Sequence, residues 1–94
     1  MIVSFRNVET ERIWNGERSK RLPSEIQASA LRKLRLLSNA KRLDDVRVPP
    51  GNRLELLSGS RAGQYSIRIN DQWRICFVWT QGGPDHVEIV DYHR

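Results

Sequence analysis

In the stretch "QYSIRINDQWRICFVW" apolar residues alternate on both sides of the turn signal "NDQ", and this constrains the chain more than any other feature. Two antiparallel strands joined there bury one common apolar face in a single way. Ile69 meets Trp73, Ile67 meets Ile75 and Tyr65 meets Phe77, because a slip of one residue sends every apolar side chain to the wrong side. The same register sets Arg68 opposite Arg74. Two arginines facing each other across a sheet repel unless an anion lies between them or water screens them. Extending the pairing across "TQGGPD", with Trp79 against Val87 and Phe77 against Ile89, predicts Tyr92 beside Arg74 on that basic face.

The rest of the chain must cover the apolar face. "RLELLS" and "VEIVDYH" read as further strands, giving four after the break at "VPPGN". "IVSF" at the start reads as a short strand. "VETERIWNG" predicts a short helix with Val8, Ile13 and Trp14 on one face and Gly16 as its stop. The stronger helix follows "ERSKRL": Pro23 suits its approach, Ser24 with Gln27 makes a capping box, and Ile26, Ala30, Leu34 and Leu37 form one stripe that Leu31 widens. Arg32, Lys33 and Arg35 lie off that stripe and face water or a phosphate backbone. With no repeat and no linker, residues 1–94 form a single α+β domain, two helices packed on one face of a mainly antiparallel sheet. Trp73, Trp79, Phe77, Tyr65 and Trp14 then belong to its core.

Composition narrows the partners. Sixteen basic residues against eleven acidic ones leave a net charge of +5, most of it on arginine, whose planar fork suits phosphate. Nucleic acid leads among polyanionic partners, with an acidic protein or a merely solubilising surface as the alternatives. One cysteine, Cys76, permits no internal disulfide and points to a reducing cytoplasm, where a buried small residue is its natural role. No apolar run is long enough to span a bilayer or to act as a secretion signal. No metal framework and no cofactor motif is legible. His86 reads as a loop-edge residue.

The chain stops on "EIVDYHR", which gathers an acid, a phenol and an imidazole, all groups that exchange protons or hydrogen-bond a phosphate. Together with "PPGNRLELLSGSRAGQYSIRINDQWRICFVW", this tail resembles the HigB toxins of the RelE and ParE superfamily, the plasmid maintenance system killer proteins. The resemblance runs from "MIVSF" to the end. It implies a RelE-like fold, a HigA-type helix-turn-helix antitoxin, contact with operator DNA through that antitoxin, and ribosome-dependent cleavage of messenger RNA without metal. Such cleavage needs a base for the 2′-hydroxyl, an acid for the departing 5′-oxygen and a cation for the phosphorus oxygens. Arg74 is the candidate cation, able to hold two phosphate oxygens at once. His93 is the proton-exchanging residue, and the family carries a histidine tied to activity at the end of this motif. Tyr92 would stack on a base or donate to phosphate, and Asp91 would orient His93, although a regular strand points Asp91 and Tyr92 to opposite faces. Some family members have a histidine and a lysine where this chain has Glu55 and Ser58. Glu55 serves as base only if desolvation outweighs its arginine neighbours, which implies slower or more ribosome-dependent chemistry. Arg53, Arg61 and Arg68 are expected to hold the RNA backbone. A ParE-like inhibitor of DNA gyrase, or an inactive domain that only binds its antitoxin, are the competing readings on the same scaffold.

Overall fold

The structure, a computed structural model, describes residues 1–92. Helix α1 spans Val8–Trp14. Asn7 starts it by accepting from Thr10 N at 2.9 Å, with Glu9 and Glu11 in the first turn where the helix dipole favours acids. Gly16 ends it, as its residue type predicts. At φ +80° it lets its own N–H reach Ile13 O (3.0 Å) and that of Glu17 reach Arg12 O (2.9 Å).

Helix α2 spans Ser24–Asn39 and buries Ile26, Ala30, Leu34 and Leu37, the predicted stripe. Its start differs from the expected capping box. Pro23 is the cap residue, Ser24 lies inside the helix, and no side chain caps it. Gln27 instead reaches the connector, where its Oε1 accepts from Ser19 N (3.1 Å) and its Nε2 donates to the carbonyls of Ser19 (2.8 Å) and Leu22 (2.9 Å). The connector folds back beside the first turn, so its loop amides and carbonyls take the partners a free helix end would have left to Gln27. Of the three basic residues off the stripe, Arg32 and Arg35 are exposed. Lys33 is half-buried and donates to Asn52 Oδ1.

Four antiparallel strands form the sheet in the order β1 (Glu55–Leu56), β2 (Tyr65–Arg68), β3 (Trp73–Thr80) and β4 (Gly83–Asp91). The β2–β3 register is the predicted one: Tyr65 pairs with Phe77, Ile67 with Ile75 and Arg68 with Arg74. The β3–β4 register is not. Trp79 faces Pro84 and Ile75 faces Ile89, where Val87 and Phe77 were the expected partners. The strands run further into the loop than the sequence suggests, pairing Thr80 with Gly83 and leaving only Gln81 and Gly82 as the turn. Gly83 permits this at φ +119°, where a β-carbon would stand 2.3 Å from Met1 O. A bulge between Cys76 and Val78, with His86 at φ +50°, then takes up one extra residue of β4. At Ile89 the offset from the expected pairing is two residues, so each side chain keeps its face.

The opening strand is reduced to a single parallel bridge between Phe5 and Val87. Val3 N donates to Pro84 O (2.7 Å) and Arg6 N to Val87 O (2.9 Å), so the segment still lines the free edge of β4. "RLELLS" shortens to Glu55–Leu56, because tight turns at Pro50–Asn52 and Gly59–Arg61 take up the residues around it. Both helices pack on the face carrying Ile67, Ile75, Phe77, Val87 and Ile89, and Thr10 Oγ1 fastens α1 to β4 by accepting from Ile89 N at 2.9 Å. Trp14 closes this core against Phe5, ring centres 6.2 Å apart. Among the described residues no helix is long and apolar enough to cross a membrane.

Candidate functional site

The face turned away from the helices carries Glu55, Ser66, Arg68, Arg74, Cys76 and Glu88, because these positions share one parity across the paired strands. Arg74 is its anchor. With only 6% of its surface exposed, its charge has to be met by partners on the protein. Nε donates to Ser66 Oγ at 2.8 Å, Nη2 donates to Arg53 O at 2.6 Å, and Nη1 lies 3.5 Å from Glu55 Oε1. Above it lies the Tyr92 ring, whose centre is 5.6 Å from the guanidinium carbon, within cation–π range.

The facing pair Arg68 and Arg74 resolves its repulsion by diverging. Arg74 turns toward β1 and Glu55, while Arg68 turns into the hairpin and pairs with Asp71. That hydrogen bond from Arg68 holds the Asp71 carboxyl below its usual range. Asn70 builds the turn, its Oδ1 accepting from Gln72 N (2.9 Å) and Trp73 N (2.7 Å). Between this turn, Arg53 and the end of β4 lies a cleft of about 460 Å³, lined by Arg53, Glu55, Arg68, Arg74 and Tyr92 together with Asn70, Asp71 and Gln72. Three cations face two carboxylates there. Arg53 is exposed at its mouth, and the excess of guanidinium groups over carboxylates makes the opening positive.

The sequence-predicted residues divide accordingly. Arg53, Glu55, Arg68, Arg74 and Tyr92 converge on the cleft. Asp91 sits one residue before Tyr92 with the opposite parity, pairs with Trp73, and accepts from Gln72 Nε2 at 3.1 Å. Tyr92 is fastened by its backbone N–H to Gln72 O at 2.6 Å. His93 lies outside the described residues. Arg61 does not line the cleft: its Nη1 donates to Glu88 Oε1 (2.7 Å) and Gln64 Oε1 (3.1 Å) further along the same face, and the Glu88 bond strengthens its hold on its proton. Cys76, opposite Glu88, is fully buried, and burial pushes its thiol up. Ser58 is exposed before the Gly59–Arg61 turn, and His86 is exposed in the bulge, 3.7 Å from Asp85.

Sequence reasoning passed over Ser66, the turn residues Asn70, Asp71 and Gln72, and the carbonyl of Arg53. Ser66 was within reach, since it shares the parity of Arg68 and Arg74 in the predicted hairpin. The carbonyl left no signal, because a backbone oxygen is common to every residue type.

The family model of the RelE-like toxin of type II toxin-antitoxin system HigB matches residues 3–93. Toxin HigB-1 of Vibrio cholerae serotype O1 is 40% identical over 83 residues, 87% of either chain. An uncharacterized protein of Haemophilus influenzae is 37% identical over 64 residues, 68% of this chain and 63% of that one. With the match covering nearly its whole length, the chain belongs to the HigB family of RelE-like toxins of type II toxin-antitoxin systems.

Proposed function

We propose that this toxin is an endoribonuclease that cuts messenger RNA on the ribosome by attack of a 2′-hydroxyl on the adjacent phosphate. The observation that carries the reading is the convergence of Arg74, Glu55 and Tyr92 in one positive cleft, at 3.5 Å and 5.6 Å from the guanidinium. Arg53 and Arg68 line the same cleft and grip the RNA backbone, a role that positions without reading sequence. Arg74 is held too firmly by Ser66 and the Arg53 carbonyl to act as a free two-pronged clamp. It forms a fixed positive floor under the phosphate, which costs no reorganisation when charge develops.

In the step itself, a base removes the 2′-hydroxyl proton, the O2′–P bond forms, the P–O5′ bond breaks, and an acid protonates the leaving 5′-oxygen. The products are a 2′,3′-cyclic phosphate and a 5′-hydroxyl. Glu55 is the carboxylate of the cleft nearest Arg74 and takes the role of base, while His93, from the terminal motif, takes that of acid. Tyr92 stacks on a base of the message. Any carboxylate is a weak base toward a hydroxyl, so much of the rate comes from the ribosome, which holds the linkage in an attacking geometry. The chain works in the cytoplasm. A type II toxin has a protein antitoxin as partner, here of the HigA helix-turn-helix type, which links the toxin to operator DNA.

The test expresses the chain with and without its antitoxin and maps new RNA 5′ ends in cells and on purified ribosomes. New 5′-hydroxyl ends on translated messages alone support the reading. Intact messages with trapped, cleaved DNA would replace it with gyrase inhibition.

A further inference from the structure

Beneath the cleft, a buried carboxamide joins α2 to the residue that orients Arg74. Asn52 has no exposed surface, and its side chain is fully engaged. Nδ2 donates to the carbonyls of Val46 (3.1 Å) and Val48 (3.2 Å), and Oδ1 accepts from Lys33 Nζ. A buried polar group with all its partners in place is rigid and fixes its surroundings. Its backbone N–H donates to Pro49 O at 2.9 Å, closing the tight turn Pro50–Asn52.

The next residue is Arg53, at φ +47° and ψ +58°. A residue with a β-carbon is disfavoured in that left-handed region by about 1 to 2 kcal/mol, so the surroundings must enforce it. Its consequence is local: the Arg53 carbonyl faces Arg74 Nη2 at 2.6 Å. Lys33 lies off the apolar stripe, where a lysine ordinarily keeps its head in water. Here the head is drawn in, and burial, then Arg32 and Arg68, lower its pKa. Neither Lys33 nor Asn52 lines the cleft.

We infer that Lys33 and Asn52 are positioning residues for Arg74: together they hold Arg53 in its left-handed conformation, and the Arg53 carbonyl sets the guanidinium on the cleft floor. The kinetic consequence rests on the nuclease reading above; the structural one does not.

The test uses two readouts on the same variants. In the 15N-labelled free toxin, solvent exchange of the Arg74 Nε–H reports whether the guanidinium stays in place. On translating ribosomes, kcat and KM are measured separately. Lys33→Met keeps the aliphatic stem and the helix but removes the donor to Asn52. It is expected to speed Arg74 Nε–H exchange by about tenfold, with the Ile75 and Phe77 amides unchanged. It should also lower kcat by about tenfold to a hundredfold at constant KM, the effect of a small misplacement of a catalytic group. Lys33→Arg, which still donates to Asn52, retains most of both. An Arg74 Nε–H as protected in Lys33→Met as in the parent overturns the inference whatever the cleavage assay reads. A parent chain that cuts no message overturns the nuclease reading instead, and the exchange rate still decides this one.

Discussion

Arg74 and Tyr92 are in cation–π contact, 5.6 Å from guanidinium carbon to ring centre, although they are not cross-strand partners. Arg74 faces Val90, and Tyr92 hangs by its N–H from Gln72 O one step further out. The contact is therefore diagonal, and it sets the ring over the edge of the cleft.

If Tyr92 stacks on a base of the message, an aromatic ring matters there more than a hydroxyl. Tyr92→Ala should lower kcat/KM by about tenfold to a hundredfold, corresponding to roughly 1 to 3 kcal/mol of lost stacking. Tyr92→Phe should retain most of the activity. A Phe variant as impaired as Ala would move the role of Tyr92 from stacking to its hydroxyl. Initial rates on a defined message bound to ribosomes make the comparison.

Arg74→Ala removes the fixed cation and is expected to reduce cleavage by about a hundredfold or more. It also leaves Ser66 Oγ and the Arg53 carbonyl without their donor, which costs about 1 to 3 kcal/mol of stability. Arg74→Lys keeps the charge yet cannot reach both partners, so its rate should fall between the two. Urea unfolding alongside the cleavage assay separates the losses. Full activity in Arg74→Ala would exclude Arg74 from the chemistry.

Arg61 and Glu88 form a second ion pair on this face, with 34% and 11% of their side chains exposed and 2.7 Å between them. Among the described residues, Glu88 retains Arg6, at 3.8 Å, as its one ion-pair partner once Arg61 is gone. Arg61→Met should therefore cost about 1 to 3 kcal/mol, nearer the lower figure because Arg61 is partly screened by water. Adding Glu88→Gln should recover part of that loss, a coupling of about 1 kcal/mol measurable in a double-mutant cycle. Additive losses would mean that the pair does not stabilise the fold.

The N-terminal segment is held by Ser4, which donates to Asp85 and thereby lowers the Asp85 pKa from its ordinary 3.8. A carboxyl with a depressed folded pKa stabilises the fold above its unfolded value and loses that contribution as the pH falls through the folded one. Asp85→Asn should thus lower the melting temperature at neutral pH, and the gap to the parent should narrow below pH 3.8 and close at stronger acid. A gap that is constant across the acid range would assign the effect to packing. Thermal melts across that range read the difference.

Periodicity in the sequence determined which residues share a face. The β2–β3 register, the α2 stripe and the stop at Gly16 follow from alternation, helical spacing and backbone freedom, all properties of neighbours along the chain. Even the wrong β3–β4 partners left Tyr92 on the side of Arg74, because at that end the displacement is two residues and the strand period is two. Only the tertiary structure decided how far along the strands those faces slide, and what meets Arg74. A two-residue turn closed on Met1 and a bulge at His86 set the first. A left-handed Arg53, held by Asn52 and Lys33, supplied the second. Both depend on groups brought together across many residues, chiefly backbone atoms, and no pattern of side-chain types along a chain records where such atoms will converge.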